Sequence, residues 1–101
     1  MSLEYPVGIA KVTATVAGTA LTLITFGFTA AQVNRAKRAY ITVRTGAISV
    51  TWVSGVTAVA NDGILFPAGG TYEVDGPTNL QNLSMIRDTA TSATVTIILE
   101  G

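Results

Sequence analysis

The chain has 101 residues, with six basic and six acidic side chains, no histidine and no cysteine. That length fits one domain, and the missing residue types exclude disulfide frameworks, thiolate chemistry and histidine-based catalysis or metal binding. Charged residues make up 12% of the chain, against about 25% in typical globular proteins. Spread over a folded surface of roughly 5,400 Å², with zero net charge, they predict a protein covered by copies of itself or by a larger assembly.

Met1 to Pro6 carry Glu4 and no basic residue, which is not a signal-peptide pattern, so synthesis in the cytoplasm is expected. Ala10, Val12, Ala14 and Val16 then alternate with Lys11, Thr13 and Thr15, the period of a strand. After Gly18, the β-branched and aromatic run Ala20 to Phe28 reads as a second strand. Phe26 and Phe28 flank Gly27 and would share one face of it. They serve either core packing or a subunit contact. Residues Val12 to Asn34 carry no charge and could span a bilayer by length. Their many threonines and glycines argue against a membrane helix, so no membrane partner is expected. Thr29-Ala30-Ala31-Gln32 matches a capping box and predicts one or two helical turns between Thr29 and Ala36, the single helical signal of the chain.

Ala39, Ile41 and Val43 alternate with Arg38, Tyr40, Thr42 and Arg44, and Ile48, Val50 and Trp52 alternate with Ala47, Ser49 and Thr51. Thr45-Gly46 between these runs reads as a tight hairpin turn. Trp52 stays in phase with Ile48 and Val50, which favours a core position over a sugar-stacking platform. Ile64 to Phe66 is a short strand ended by Pro67, and Ala68-Gly69-Gly70 is a turn. Tyr72 and Val74 alternate with Thr71, Glu73 and Asp75, and Asp75-Gly76-Pro77 is a further turn. Leu83 to Arg87 leads into the polar loop Asp88 to Ser92. Val95, Ile97 and Leu99 alternate with Thr94, Thr96 and Ile98 in the last strand. Ile98 breaks strict alternation and predicts cover on both faces there. About eight short strands and closely spaced turns predict a single all-β domain over residues 1–101, a β-sandwich or jelly roll with one short helical turn at most.

The sequence holds little chemistry. No nucleophile elbow, Walker loop, dinucleotide fingerprint or zinc spacing occurs, so no catalytic residue, cofactor site or metal site is expected. Glu73 and Asp75 project to one face of a strand, but nothing nearby in sequence completes a cation site. Asn61-Asp62-Gly63 lacks the ligand spacing of a calcium loop and is read as a turn. Arg35, Lys37 and Arg38 form a basic cluster before a strand. It is either a solvated loop or a dock for an acidic partner; zero net charge and the lack of interleaved aromatic residues weigh against nucleic acid. Candidate partner-contact residues are therefore Arg35, Lys37, Arg38, Phe26 and Phe28.

From Ala39 to Gly101, about two-thirds of the chain, the sequence resembles small virion proteins of tailed bacteriophages. The resemblance lies in Tyr40-Ile41-Thr42-Val43 with Ser49-Val50-Thr51-Trp52, in Gly63-Ile64-Leu65, in Ala68-Gly69-Gly70-Thr71-Tyr72-Glu73-Val74, in Leu80 to Arg87, and in the terminal Ala93-Thr94-Val95-Thr96-Ile97. Such chains often carry Asp-Gly after the tryptophan, where this one has Val53-Ser54-Gly55. The resemblance implies a non-enzymatic β-sandwich in the virion, attached to capsid or tail and often trimeric. Its partners would be its own copies and the major capsid or other virion proteins. The leading expectation is a capsid decoration or head-associated protein. A tail, fibre or receptor-binding component, or a carbohydrate-binding module, is the alternative.

Overall fold

The computed structural model describes residues 8–101, so the reading of Met1 to Pro6 lies outside the described residues. Among the described residues, eight strands and three short helices follow in chain order. They are β1 (Gly8–Val16), β2 (Leu21–Thr22), α1 (Leu23–Phe26), α2 (Ala30–Arg35), β3 (Arg38–Thr45) and β4 (Ile48–Thr51). Then come β5 (Ile64–Phe66), β6 (Thr71–Asp75), α3 (Pro77–Asn82), β7 (Ser84–Arg87) and β8 (Ala93–Glu100). One sheet has the order β1-β8-β3-β6 and the other β2-β7-β4-β5, and every pairing is antiparallel. The links β1–β2, β3–β4, β5–β6 and β7–β8 each change sheet, which is the strand order of a jelly roll. The expected all-β sandwich is therefore present.

The two-residue period delivers one face of each strand to the space between the sheets. On β8, Ala93, Val95, Ile97 and Leu99 are buried, and on β3 Ala39, Ile41 and Val43. Ile41 pairs with Ile97, and both are fully buried. Each such side chain contributes about 1.5–3 kcal/mol by leaving water. Opposite them lie Ile48, Val50, Phe66 and Met85 of the second sheet.

Four expectations need correcting. The run Ala20 to Phe28 is not one strand, because only Leu21–Thr22 pairs, with β7. Thr22 then caps α1, its hydroxyl accepting from the Thr25 N–H while the Thr25 hydroxyl accepts from the Thr22 N–H. Gly27 ends that turn at φ 143°, and a Cβ there would stand 2.9 Å from Val12 Cγ1, so the chain can reverse against β1 only at glycine. Second, Thr45-Gly46 does not close a hairpin: it carries the chain from one sheet to the other. Third, three short helices form where one was expected. The predicted α2 is present with its capping box, Thr29 Oγ1 accepting from the Gln32 N–H at 3.2 Å and Gln32 Oε1 from the Thr29 N–H at 3.0 Å. The unexpected α3 starts on Pro77 and buries Leu80, proline being favoured in a first helical turn. Fourth, β8 is not covered on both faces, since Ile98 remains 38% exposed on its outer side.

Candidate assembly surface

Residues 52–63 join β4 to the adjacent β5, a connection a short hairpin turn could have made. The long loop instead folds across the outer face of its own sheet. Ser49 and Ser84 stand on that outer face, in alternation with the inward Val50 and Met85, yet they are only 2% and 5% exposed. The loop covers both. Ala58 is the loop's buried residue, 4% exposed, and its N–H donates to Ser84 Oγ at 2.9 Å. Asp88 Oδ1 accepts from the Ser49 hydroxyl and, at 3.0 Å, from the Asn61 N–H. Two polar pins thus hold the loop down, one at Ser84 and one at Asp88. Trp52 at its root is half-buried and packs against the core, as its phase predicted.

Holding the loop down turns its valines outward. Among the described residues, five of the seven exposed large hydrophobic side chains fall between positions 53 and 65. These are Val53, Val56 and Val59 on the loop and Ile64 and Leu65 on β5, each 48–59% exposed. Asp62 is the single charge between Arg44 and Glu73. The strand β5 is also a sheet edge, so among the described residues its backbone groups on one side have no strand partner. Leu65, paired with Ser49, shares the outer face with the loop, while Ile64, paired with Val50, leaves the edge strand on the other side; exposed apolar side chains on and beside an edge strand mark a candidate contact region.

The opposite face of the sandwich is built differently. The outer side of the β1-β8-β3-β6 sheet carries a row Thr13–Thr96–Thr42–Thr71, one residue per strand. The Thr13 and Thr96 hydroxyls are 2.8 Å apart and those of Thr42 and Thr71 2.9 Å. The next row is Lys11–Ile98–Tyr40–Glu73. Arg38 lies beyond it, its Nε 3.2 Å from Asp75 Oδ1 and 3.7 Å from Glu73 Oε1. Hydrogen bonding to Tyr40, with help from the two carboxylates, raises the Arg38 pKa, while hydrogen bonding to Glu73 is the main cause holding the Tyr40 phenol above its usual value.

The five candidate contact residues are dispersed by this arrangement. Phe26 and Phe28 stack with ring centroids 6.1 Å apart and are 4% and 2% exposed. They are core residues, and the subunit-contact reading does not hold for them. Of the basic cluster, Arg38 is engaged by Glu73 and Asp75. Arg35, at the end of α2, and Lys37 are exposed. Of the three cations, Arg38 is thus held by two carboxylates of its own chain, while Arg35 and Lys37 face solvent. Glu73 and Asp75 are solvent-facing, with Arg38 as their shared partner. The apolar loop surface was not singled out from the sequence. Its signal is there in the near absence of charge from 45 to 72 and in valines spaced three apart, outside any strand alternation.

No family model, curated protein or solved structure matches the chain. Among the described residues no group of acidic side chains is placed to hold a metal ion, and no helix is long and apolar enough to cross a membrane. A cavity of about 430 Å³ opens between the loop and α1 and is lined by Thr22, Thr25, Val56, Gln81 and Ser84. A second, of about 320 Å³, is lined by Asn61, Arg87, Asp88 and Thr89. Neither has an aromatic side chain in its wall.

Proposed function

We propose that the chain is a non-enzymatic bacteriophage structural protein, a capsid decoration or head-associated protein that assembles as a homo-oligomer, with three copies favoured. Its place is the virion, after synthesis in the host cytoplasm, and its partners are its own copies and the major capsid or other virion proteins. The observation that carries this reading is the set of exposed apolar side chains on the β4–β5 connection and the edge strand β5, Val53, Val56, Val59, Ile64 and Leu65, on a jelly roll of low charge density. Fully burying five such side chains from a half-exposed start would contribute roughly 5 kcal/mol gross, which association entropy partly offsets. The trimer preference and the choice of capsid rest on the resemblance to small virion proteins.

A decoration protein is present in copy numbers comparable to the major capsid protein, whereas a tail tip is not. Quantitative mass spectrometry of purified particles therefore tests the reading. Abundance matching the shell supports it, and absence from the particle, or a few copies only, overturns it. The glycan-binding alternative has no stacking platform in either cavity wall, and a glycan array showing selective binding would favour it instead.

A further inference from the structure

Among the described residues the β1-β8-β3-β6 sheet ends in β1 and β6, and these two edges carry opposite charge in the same cross-strand row. Lys11 stands at the β1 end and Glu73 at the β6 end, with Ile98 and Tyr40 between them. Both end residues are exposed. Asp75, one row further along β6, is exposed as well. An open strand edge is a template for pairing, and charge placed on it decides which partners it accepts. Two copies meeting β6 against β6 in the centred register would set Glu73 against Glu73. Two copies meeting β1 against β1 would bring Lys11 towards Lys11. Both are the twofold, self-complementary contacts, and like charge opposes both. The contact that brings unlike charge together is β1 of one copy beside β6 of the next.

Strand direction permits that contact. Along the sheet the strands alternate in direction, so β1 and β6, at positions one and four, run antiparallel. A second copy rotated about an axis parallel to the strands presents its β1 antiparallel to β6 at the same height. The rows then continue from copy to copy. Glu73 faces the next copy's lysine at position 11, and Thr71 faces the next copy's threonine at position 13, extending a row whose threonines already bond in pairs. The same side-by-side placement brings β5, which carries Ile64 and Leu65, towards the β2 side of its neighbour, where Ile24 of α1 is 53% exposed.

We infer that the protein associates with a second copy of itself head to tail, the β1 edge of one subunit against the β6 edge of the next, with Lys11 and Glu73 selecting this heterologous contact over twofold ones. A heterologous contact that closes makes a ring. The inference rests on the homo-oligomer reading above and names its interface.

Charge reversal tests it. Wild type, Lys11→Glu, Glu73→Lys and the double variant Lys11→Glu/Glu73→Lys are compared by sedimentation velocity across a dilution series at low salt, with circular dichroism to confirm that each is folded. Because Glu73 also touches Arg38, Glu73→Gln serves as a milder second variant. Each single reversal is expected to weaken association by about tenfold or more, Glu73→Gln by less, and the double reversal to restore it. Raising the salt concentration weakens wild type. A wild-type oligomer that ignores both single reversals, or a double variant no better than the singles, overturns this interface while leaving self-assembly standing. An oligomer confined to dimers would also overturn the head-to-tail ring. A wild-type chain that stays monomeric throughout overturns the homo-oligomer reading and the interface together.

Discussion

Asp88→Ala removes the acceptor that holds the tip of the loop. The carboxylate accepts from the Ser49 hydroxyl and the Asn61 N–H. Hydrogen bonds to a charged group are worth about 1.5–3 kcal/mol each, but the two losses differ. Asn61 is exposed, and water replaces its lost partner. Ser49 is 2% exposed, and its hydroxyl is left buried without an acceptor, which costs about 1–3 kcal/mol. A total of about 2–3 kcal/mol is expected. In a domain of this size that lowers Tm by roughly 10–20 °C if the loop and sheet unfold together. If the loop opens alone, protease cleavage between Val53 and Val59 accelerates by about a hundredfold. Ser49→Ala should be milder, about 1 kcal/mol, since Asp88 keeps Asn61 and its access to water. Adding Ser49→Ala to Asp88→Ala removes the orphaned hydroxyl and should recover about 1 kcal/mol, a non-additivity of defined sign. Urea denaturation at one fixed protein concentration, paired with limited proteolysis, measures all three, the fixed concentration being needed because assembly itself stabilises. Strict additivity, or an Asp88→Ala cost below about 0.5 kcal/mol with unchanged cleavage, would refute the pinned-loop account.

Leu65→Asp puts a charge in the apolar surface and should shift the oligomer to smaller species in light scattering with little change in the circular dichroism spectrum. Retention of the wild-type mass would remove that surface from the assembly. Gly63→Ala should cost more than about 2 kcal/mol. Gly63 adopts φ 135° and its new Cβ would lie 2.9 Å from the Val50 carbonyl oxygen, and a denaturation midpoint equal to wild type would contradict this. Tyr40 has its phenol raised above the ordinary 10.0 in the folded state, chiefly by Glu73. Its stabilising contribution is present below about pH 10, the unfolded value, and is lost as pH rises through the folded one. An ultraviolet titration of wild type minus Tyr40→Phe should show the raised transition, and Glu73→Gln should lower it.

Much of this architecture was legible in the residues because strand alternation and capping are local. Val95, Ile97 and Leu99 had to face one way and Thr94 and Thr96 the other, whatever their neighbours. Thr29 and Gln32 carried their helix start in four residues. The run from Ala20 to Phe28 was misread because a short apolar run fits a strand or a buried helical turn equally well. The chain pairs only Leu21–Thr22 with β7, turns at the Thr22–Thr25 capping box and passes close to Val12 at Gly27.

Connections and surfaces were settled at longer range. Thr45-Gly46 is turn chemistry in either case, and whether the chain returns beside β3 or crosses to the opposite sheet depends on which sheet can take Ile48 and Val50 into the core. The alternation of Lys11 and of Glu73 placed each on a strand face. That the two terminate the same row at opposite edges is a product of strand order, which joins residues 11 and 73 through 98 and 40. The apolar surface has the same origin. Valines at 53, 56 and 59 would be core candidates by hydropathy, but they stand on the connection outside the sheets and are exposed. The pins at Ser84 and Asp88 give the N–H groups of Ala58 and Asn61 their acceptors, and the loop's valines stay exposed, each at a cost of about 1 kcal/mol or two.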